Sequence, residues 1–180
     1  MEKGEGKMIF DEMCSFHCPR WYELPEISLY MDQVLSLIEK ALAIFVNESE
    51  GKIATSTMIN NYVKHKVVPP PTKKRYNREH LAYLIIVSLS KRVLSMSEIC
   101  DLLALLLNQY SIDKVYNIFG DELEYALKST FGDCTSLEQC TTPNEPALTV
   151  LRATLMALAN KMLAQTLLTT NKVKAVKNKK

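Results

Sequence analysis

Residues 57–103, TMINNYVKHKVVPPPTKKRYNREHLAYLIIVSLSKRVLSMSEICDLL, decide the fold. Just ahead of them Thr55 and Ser56 each offer a side-chain oxygen for a helix N-cap, and Met58, Ile59, Tyr62 and Val63 then recur at the spacing of one apolar helix face. The other face holds Asn60, Asn61, Lys64 and His65. Pro69, Pro70 and Pro71 exclude helix, because proline lacks the amide hydrogen and pushes its predecessor to extended geometry. The chain is sent outward through Thr72, Lys73, Lys74 and Arg75. Asn77 then caps a new helix that places Leu81, Leu84, Ile85, Val87 and Leu89 in the core. Ser95 and Glu98 have the S-x-x-E spacing of a capping box and open a further helix through Ile99, Leu102, Leu103, Leu106 and Leu107.

Outward from this stretch the chain reads as three parts. Residues 1–28 are an irregular arm, broken by Pro19 and Pro25 and anchored by Trp21 and Tyr22. Residues 29–110 are the body, which begins with a helix capped by Asp32 and faced by Val34, Leu35, Leu37, Ile38, Leu42 and Phe45. Residues 111–180 are a C-terminal helical region. Helical texture runs from Ile112 to Leu127 and breaks at Gly132; a loop over Asp133–Pro146 leads to a long helix from about Glu145 to Thr170, then to a disordered lysine tail. Five glycines in 180 residues leave few tight turns, and 47% apolar with 23% charged residues is ordinary globular composition, so an all-α protein is expected.

Charge is segregated. Between Asn60 and Arg92 eight cations face one carboxylate, Glu79, which leaves +7 there and −5 elsewhere in a chain whose formal net charge is +2. A concentration of this kind marks a face for polyanions. The N-terminus MEKGEGKMIF is charged and has no apolar stretch, so no secretory signal is expected. The longest apolar run, Leu81–Leu89, is too short to span a bilayer. An odd set of cysteines, Cys14, Cys18, Cys100, Cys134 and Cys140, fits a reduced, cytoplasmic setting with no membrane partner.

The decisive stretch resembles the DNA-binding half of mercury-resistance-regulator (MerR) type proteins. In that pattern a recognition helix containing a tyrosine leads to two aliphatics, Pro-Pro, a basic wing with Arg-x-Tyr, a helix, and an aliphatic-Ser-x-x-Glu-Ile helix start. Tyr62 corresponds to the tyrosine, Val67 and Val68 to the aliphatics, Pro69 and Pro70 to the prolines, Lys74 and Tyr76 to Arg-x-Tyr, and Leu94, Ser95, Glu98 and Ile99 to the last signature. The resemblance implies a winged helix-turn-helix with a shortened wing and additional C-terminal helices. It also implies double-stranded DNA as partner. Asn60, Asn61, Lys64 and His65 would address the groove, where amides read adenine edges, and Lys73, Lys74, Arg75 and Arg78 would hold phosphates. The chain departs from the pattern in having no Ala-x-x-x-Gly-Val turn in its first helix and no glycine in the wing. Asn60 and Asn61 replace the family's Arg and Tyr. Over PRWYELPEISLYMDQV (19–34) and TSTMINNYVKHKVVPPPTKKRYNREHL (55–81) the chain also resembles a bacterial domain-of-unknown-function family, numbered 1836, which brings no activity with it.

Other chemistry is thinly supported. Cys14, His17 and Cys18, with Cys134 or Cys140, include zinc-type ligands, but C-x-x-H-C is not a usual metal pair and no second tight pair exists, so no metal or cofactor is expected. His17, His65 and His80 sit in no nucleophile pattern, no glycine-rich phosphate loop occurs, and Asp121, Glu122 and Glu124 read as a solvated acidic patch, so an enzyme is not expected. Tyr62 and Tyr76 read as core residues before base-stacking ones. Leu148, Leu151, Leu155, Leu158, Met162 and Gln165 form a heptad-like row that serves either the chain's own core, the favoured reading, or a homodimer. The expected function is a transcriptional regulator that binds DNA. Its rivals are a helical protein-interaction module on the same scaffold and a small-molecule sensor.

Overall fold

The structure is a computed structural model that describes the backbone of residues 2–46, 51–132 and 145–177, with side chains from residue 8 to residue 170 within those spans. Helix starts follow the caps. Helix α3, Ser56–Lys64, begins where the Thr55 hydroxyl accepts the Met58 N–H at 3.2 Å. Helix α4, Arg78–Ser90, begins with a reciprocal pair: Asn77 Oδ1 accepts the His80 N–H and His80 Nδ1 accepts the Asn77 N–H, each at 3.1 Å. Helix α5, Met96–Leu107, carries the capping box, with Glu98 taking the Ser95 N–H at 2.7 Å. Helix α2, Met31–Ala41, is capped by Tyr30 rather than Asp32; Gln33 accepts the Tyr30 N–H, and Asp32 lies within the first turn, where its charge suits the helix dipole.

Helix α4 is enclosed along most of its length. Every residue from His80 to Ser90 except Tyr83 is buried. Helix α6 (Ile112–Phe131) lies against α4 and helix α7 (Pro146–Lys177), α5 packs on α7 and α6, and all of them share one apolar core. Among the described residues there are α-helices and short 3-10 turns but no strand, so the all-α expectation holds.

Four expectations need correction. The arm is not irregular throughout: helix α1, Glu2–Ser15, docks on α6, where the Phe10 ring meets Phe131 edge-on with centroids 5.3 Å apart, and its Met13 is buried. Its two glycines and weak period hide it in the sequence; packing supplies what propensity lacks. Tyr22 anchors nothing and is 75% exposed. The basic tail continues α7 as helix through Lys177, and only 178–180 lie outside the described residues. The acidic patch is solvated only at Asp121: Glu122 is buried and held bidentate by Arg152 at 2.8 and 3.0 Å, Glu124 is half-buried against Arg20 at 2.7 Å, and exposed Asp121 pairs with Arg20 at 2.9 Å. The loop read over residues 133–146 falls almost wholly outside the described residues.

The second half of the arm is strapped onto α6. The Cys18 N–H donates to Glu124, Arg20 Nη1 donates to the Cys18 carbonyl, and the Trp21 N–H donates to Asn117 Oδ1 at 2.9 Å. The close approach needs Gly120, since a Cβ there would stand 2.8 Å from Arg20 Nη1. Cys18 is fully buried, and its desolvation pushes the thiol up to about 12, so it stays protonated and inert.

Candidate functional site

Asn60, Asn61, Lys64 and His65 are all exposed on α3, because Ile59 and Tyr62, at 0% and 5% exposure, hold the opposite face in the core. The helix ends by a tight C-cap. The Lys66 N–H reaches the Val63 carbonyl and the Val67 N–H reaches the Tyr62 carbonyl, both at 3.0 Å, with Lys66 left-handed at φ 58°. Buried Val67 and Tyr62 complete the apolar contact of that cap.

The proline segment is fixed from beneath. His80, buried at the start of α4, accepts the Asn77 N–H at Nδ1, which leaves Nε2 as the donor to the Pro70 carbonyl 3.2 Å away. Beyond it Thr72 and Arg75 exchange backbone hydrogen bonds at 3.2 and 2.9 Å, closing a two-residue turn. Its central residues, Lys73 and Lys74, are both left-handed, at φ 51° and 62°. Turns of this length need that geometry, and Asn-Gly normally supplies it. Each lysine held so costs about 1–2 kcal/mol over a right-handed backbone. The base of the turn is tied to the segment before α2, where Leu29 and Tyr76 exchange hydrogen bonds at 2.8 and 2.9 Å.

The eight residues singled out in the sequence do not share one status. Asn60, Asn61, Lys64, His65, Lys73 and Lys74 are exposed, and among the described residues none of these three lysines makes an ion pair. Arg75 is exposed but occupied: it lies over the Tyr30 ring, 4.5 Å from its centroid, and donates to the Tyr30 hydroxyl at 2.7 Å. Arg78 is a structural residue. Its Nε donates to the Leu24 carbonyl at 3.0 Å, Nη2 pairs with Glu26 at 3.3 Å, and the guanidinium stacks near Trp21. It fastens the arm to α4. Tyr62 and Tyr76 are both core residues. Sequence reasoning overlooked Lys66, whose signal was its place one residue past a helix C-cap.

Of the zinc-type ligands, His17 is bonded to Glu23 and Glu124, at 2.8 and 3.2 Å, and Cys18 is enclosed. Cys134 and Cys140 lie outside the described residues, and among those described no group of three or more His, Cys, Asp or Glu is placed to hold a metal.

Fold and site together define an all-α protein in which a polar helix and a lysine-tipped turn leave one apolar core, with the proline segment between them held by His80 of α4. Over residues 19–119 the chain matches the family model described as Domain of unknown function (DUF1836), and it belongs to that family. The match runs from the arm through α2, α3, the turn, α4 and α5 into α6, so it takes in every residue of the site. No curated protein and no solved structure matches the chain.

Proposed function

We propose that this protein is a DNA-binding transcriptional regulator built on a MerR-type winged helix-turn-helix. Helix α3 is the recognition helix and the turn at Lys73–Lys74 is a shortened wing. The reading rests on one observation above others: Lys66, Lys73 and Lys74, all unpaired, occupy left-handed positions that glycine fills at lower cost. Strain retained for a charge points to use of the charge. In this reading Asn60 and Asn61 read base edges, while Lys64, Lys66, Lys73 and Lys74 meet phosphates. Arg78 is left out, because its Nε and Nη2 are already engaged by Leu24 and Glu26. The protein works in the cytoplasm, and no catalysis is assigned to it.

A homodimer through α7 belongs to this reading. The row Leu148, Leu151, Leu155, Leu158 and Met162 is buried in the chain's own core and unavailable. The outward row is Val150, Ala153, Ala157, Asn160, Ala164 and Leu167, exposed, uncharged and spaced alternately by three and four. Pro146–Thr170 is also long and apolar enough to cross a bilayer, but Leu148, Leu151, Leu155 and Leu158 are spent on the core.

Selection from random duplex pools at several salt concentrations tests the proposal. Enrichment of a consensus, with affinity falling steeply as salt rises, is expected. Recovery of unselected sequence at every salt concentration would transfer the surface to an acidic protein partner.

A further inference from the structure

A cleft of about 660 Å³ opens between the C-terminal end of α3, the proline segment and α5. Its floor is apolar, made by Val63, Val68, Tyr83, Leu103 and Leu107. Lys64 and Lys66 stand on its rim, unpaired, and no carboxylate lines it; the nearest acid on α4 is exposed Glu79, one turn from Tyr83. The volume lies within the range of small-ligand sites. A larger groove of about 720 Å³ between the arm and α2 carries Glu23 and Asp32 as well as Lys40, and so favours neither sign of charge. The cleft under α3 differs in pairing a greasy floor with cations alone.

We infer that this cleft binds a small amphipathic carboxylate, with an aliphatic body on the leucine floor and the anion between Lys64 and Lys66. Burying the chain supplies affinity at roughly 25 cal/mol per Å² of apolar surface, and the two ammonium groups select the charged head over a neutral one. Lys64 and Lys66 also belong to the proposed duplex-binding face. An occupied cleft therefore removes two cations from DNA, so ligand and duplex oppose each other; that coupling rests on the regulator reading, whereas binding in the cleft does not.

Cys100, half-buried in the cleft wall, reports occupancy. Alkylation by iodoacetamide is followed peptide by peptide with decanoate, with decan-1-ol, or with neither; half-buried Cys14 on α1 serves as the internal control. With decanoate at twice its dissociation constant, Cys100 reacts about threefold more slowly, because protection follows 1 + [L]/Kd. Cys14 does not change, and decan-1-ol protects less. K64Q/K66Q, checked for folding by its melting curve, loses the preference for decanoate over decan-1-ol. Equal Cys100 rates with and without decanoate would overturn the inference, as would equal protection by the alcohol or an undiminished preference in the double variant. Protection by an acidic amphipathic peptide without protection by decanoate would also overturn it, giving the cleft to a protein partner. Decanoate is then added to wild type bound to duplex, where weakened binding is expected. If no duplex is bound under any condition the regulator reading fails, and Cys100 protection still decides the cleft.

Discussion

Lys73 and Lys74 hold a backbone that glycine holds more easily, and their removal separates folding from function. K73G/K74G relieves about 1–2 kcal/mol of left-handed cost per position against about 0.5–1 kcal/mol of glycine chain entropy. Its melting temperature is expected to stay level or rise slightly. Its affinity for duplex falls, and the slope of log K against log salt flattens by about 1.8, two phosphates at about 0.9 each. A variant that melts higher and binds with an unchanged slope would take these lysines out of the interface. Glu122 gives the contrary case. Its carboxylate is buried and bonded twice by Arg152, whose side chain stays about a quarter exposed. E122A removes the buried carboxylate that this guanidinium bonds twice and is expected to cost about 3 kcal/mol in a urea melt, at the lower end for broken buried pairs.

Among the elements, the strap over residues 16–24 has an acid-sensitive anchor. Burial by itself raises the Glu124 carboxyl, but the Arg20 guanidinium, the Cys18 N–H and His17 together outweigh it and hold the group below the usual carboxylate range. A carboxyl lowered in the folded state contributes stability that is complete above its unfolded value and is lost as pH falls through the folded one. Melting temperature should therefore drop below about pH 4.5, near the ordinary glutamate value, and E124Q should start lower at neutral pH and lose less on acidification. Parallel pH profiles for the two proteins would show that the strap does not depend on this charge. The elements also mark what was legible. Thr55, Asn77 and the Ser95–Glu98 pair announced α3, α4 and α5, since a cap bonds amides two or three residues away and needs nothing distant. Helix α1 went unread because Gly4 and Gly6 weaken its propensity, and its partners on α6 lie more than a hundred residues along the chain.

At the scale of the whole molecule, α7 is two-faced. One row fills the core, and the other, from Val150 to Leu167, is uncharged and faces outward. Light scattering at tens of micromolar is expected to give twice the 20.5 kDa chain mass, and A157E, which places a charge at the middle of the outer row without touching the core, should return it to one. A strictly monomeric wild type would leave duplex binding to single chains. The distribution of charge belongs to this scale too. Arg20, Arg78 and Arg152 are consumed within the fold by Glu124, Glu26 and Glu122, whereas Lys64, Lys66, Lys73 and Lys74 have no ion-pair partner among the described residues. Arg78 stood among the phosphate-holding residues because it is a cation near a helix start. Leu24, Glu26 and Trp21, which occupy it, are brought there only by folding.

By itself the sequence determined the starts of α3, α4 and α5, the proline stop, the polar face of α3 and the family, because caps, prolines and a 3.6-residue period act over a few neighbouring residues. Tertiary structure alone decided which cations remain free, which row of α7 faces outward, and that Lys66, Lys73 and Lys74 take left-handed backbones. Those outcomes depend on which distant groups arrive within a few ångströms, and no local pattern encodes that arrival.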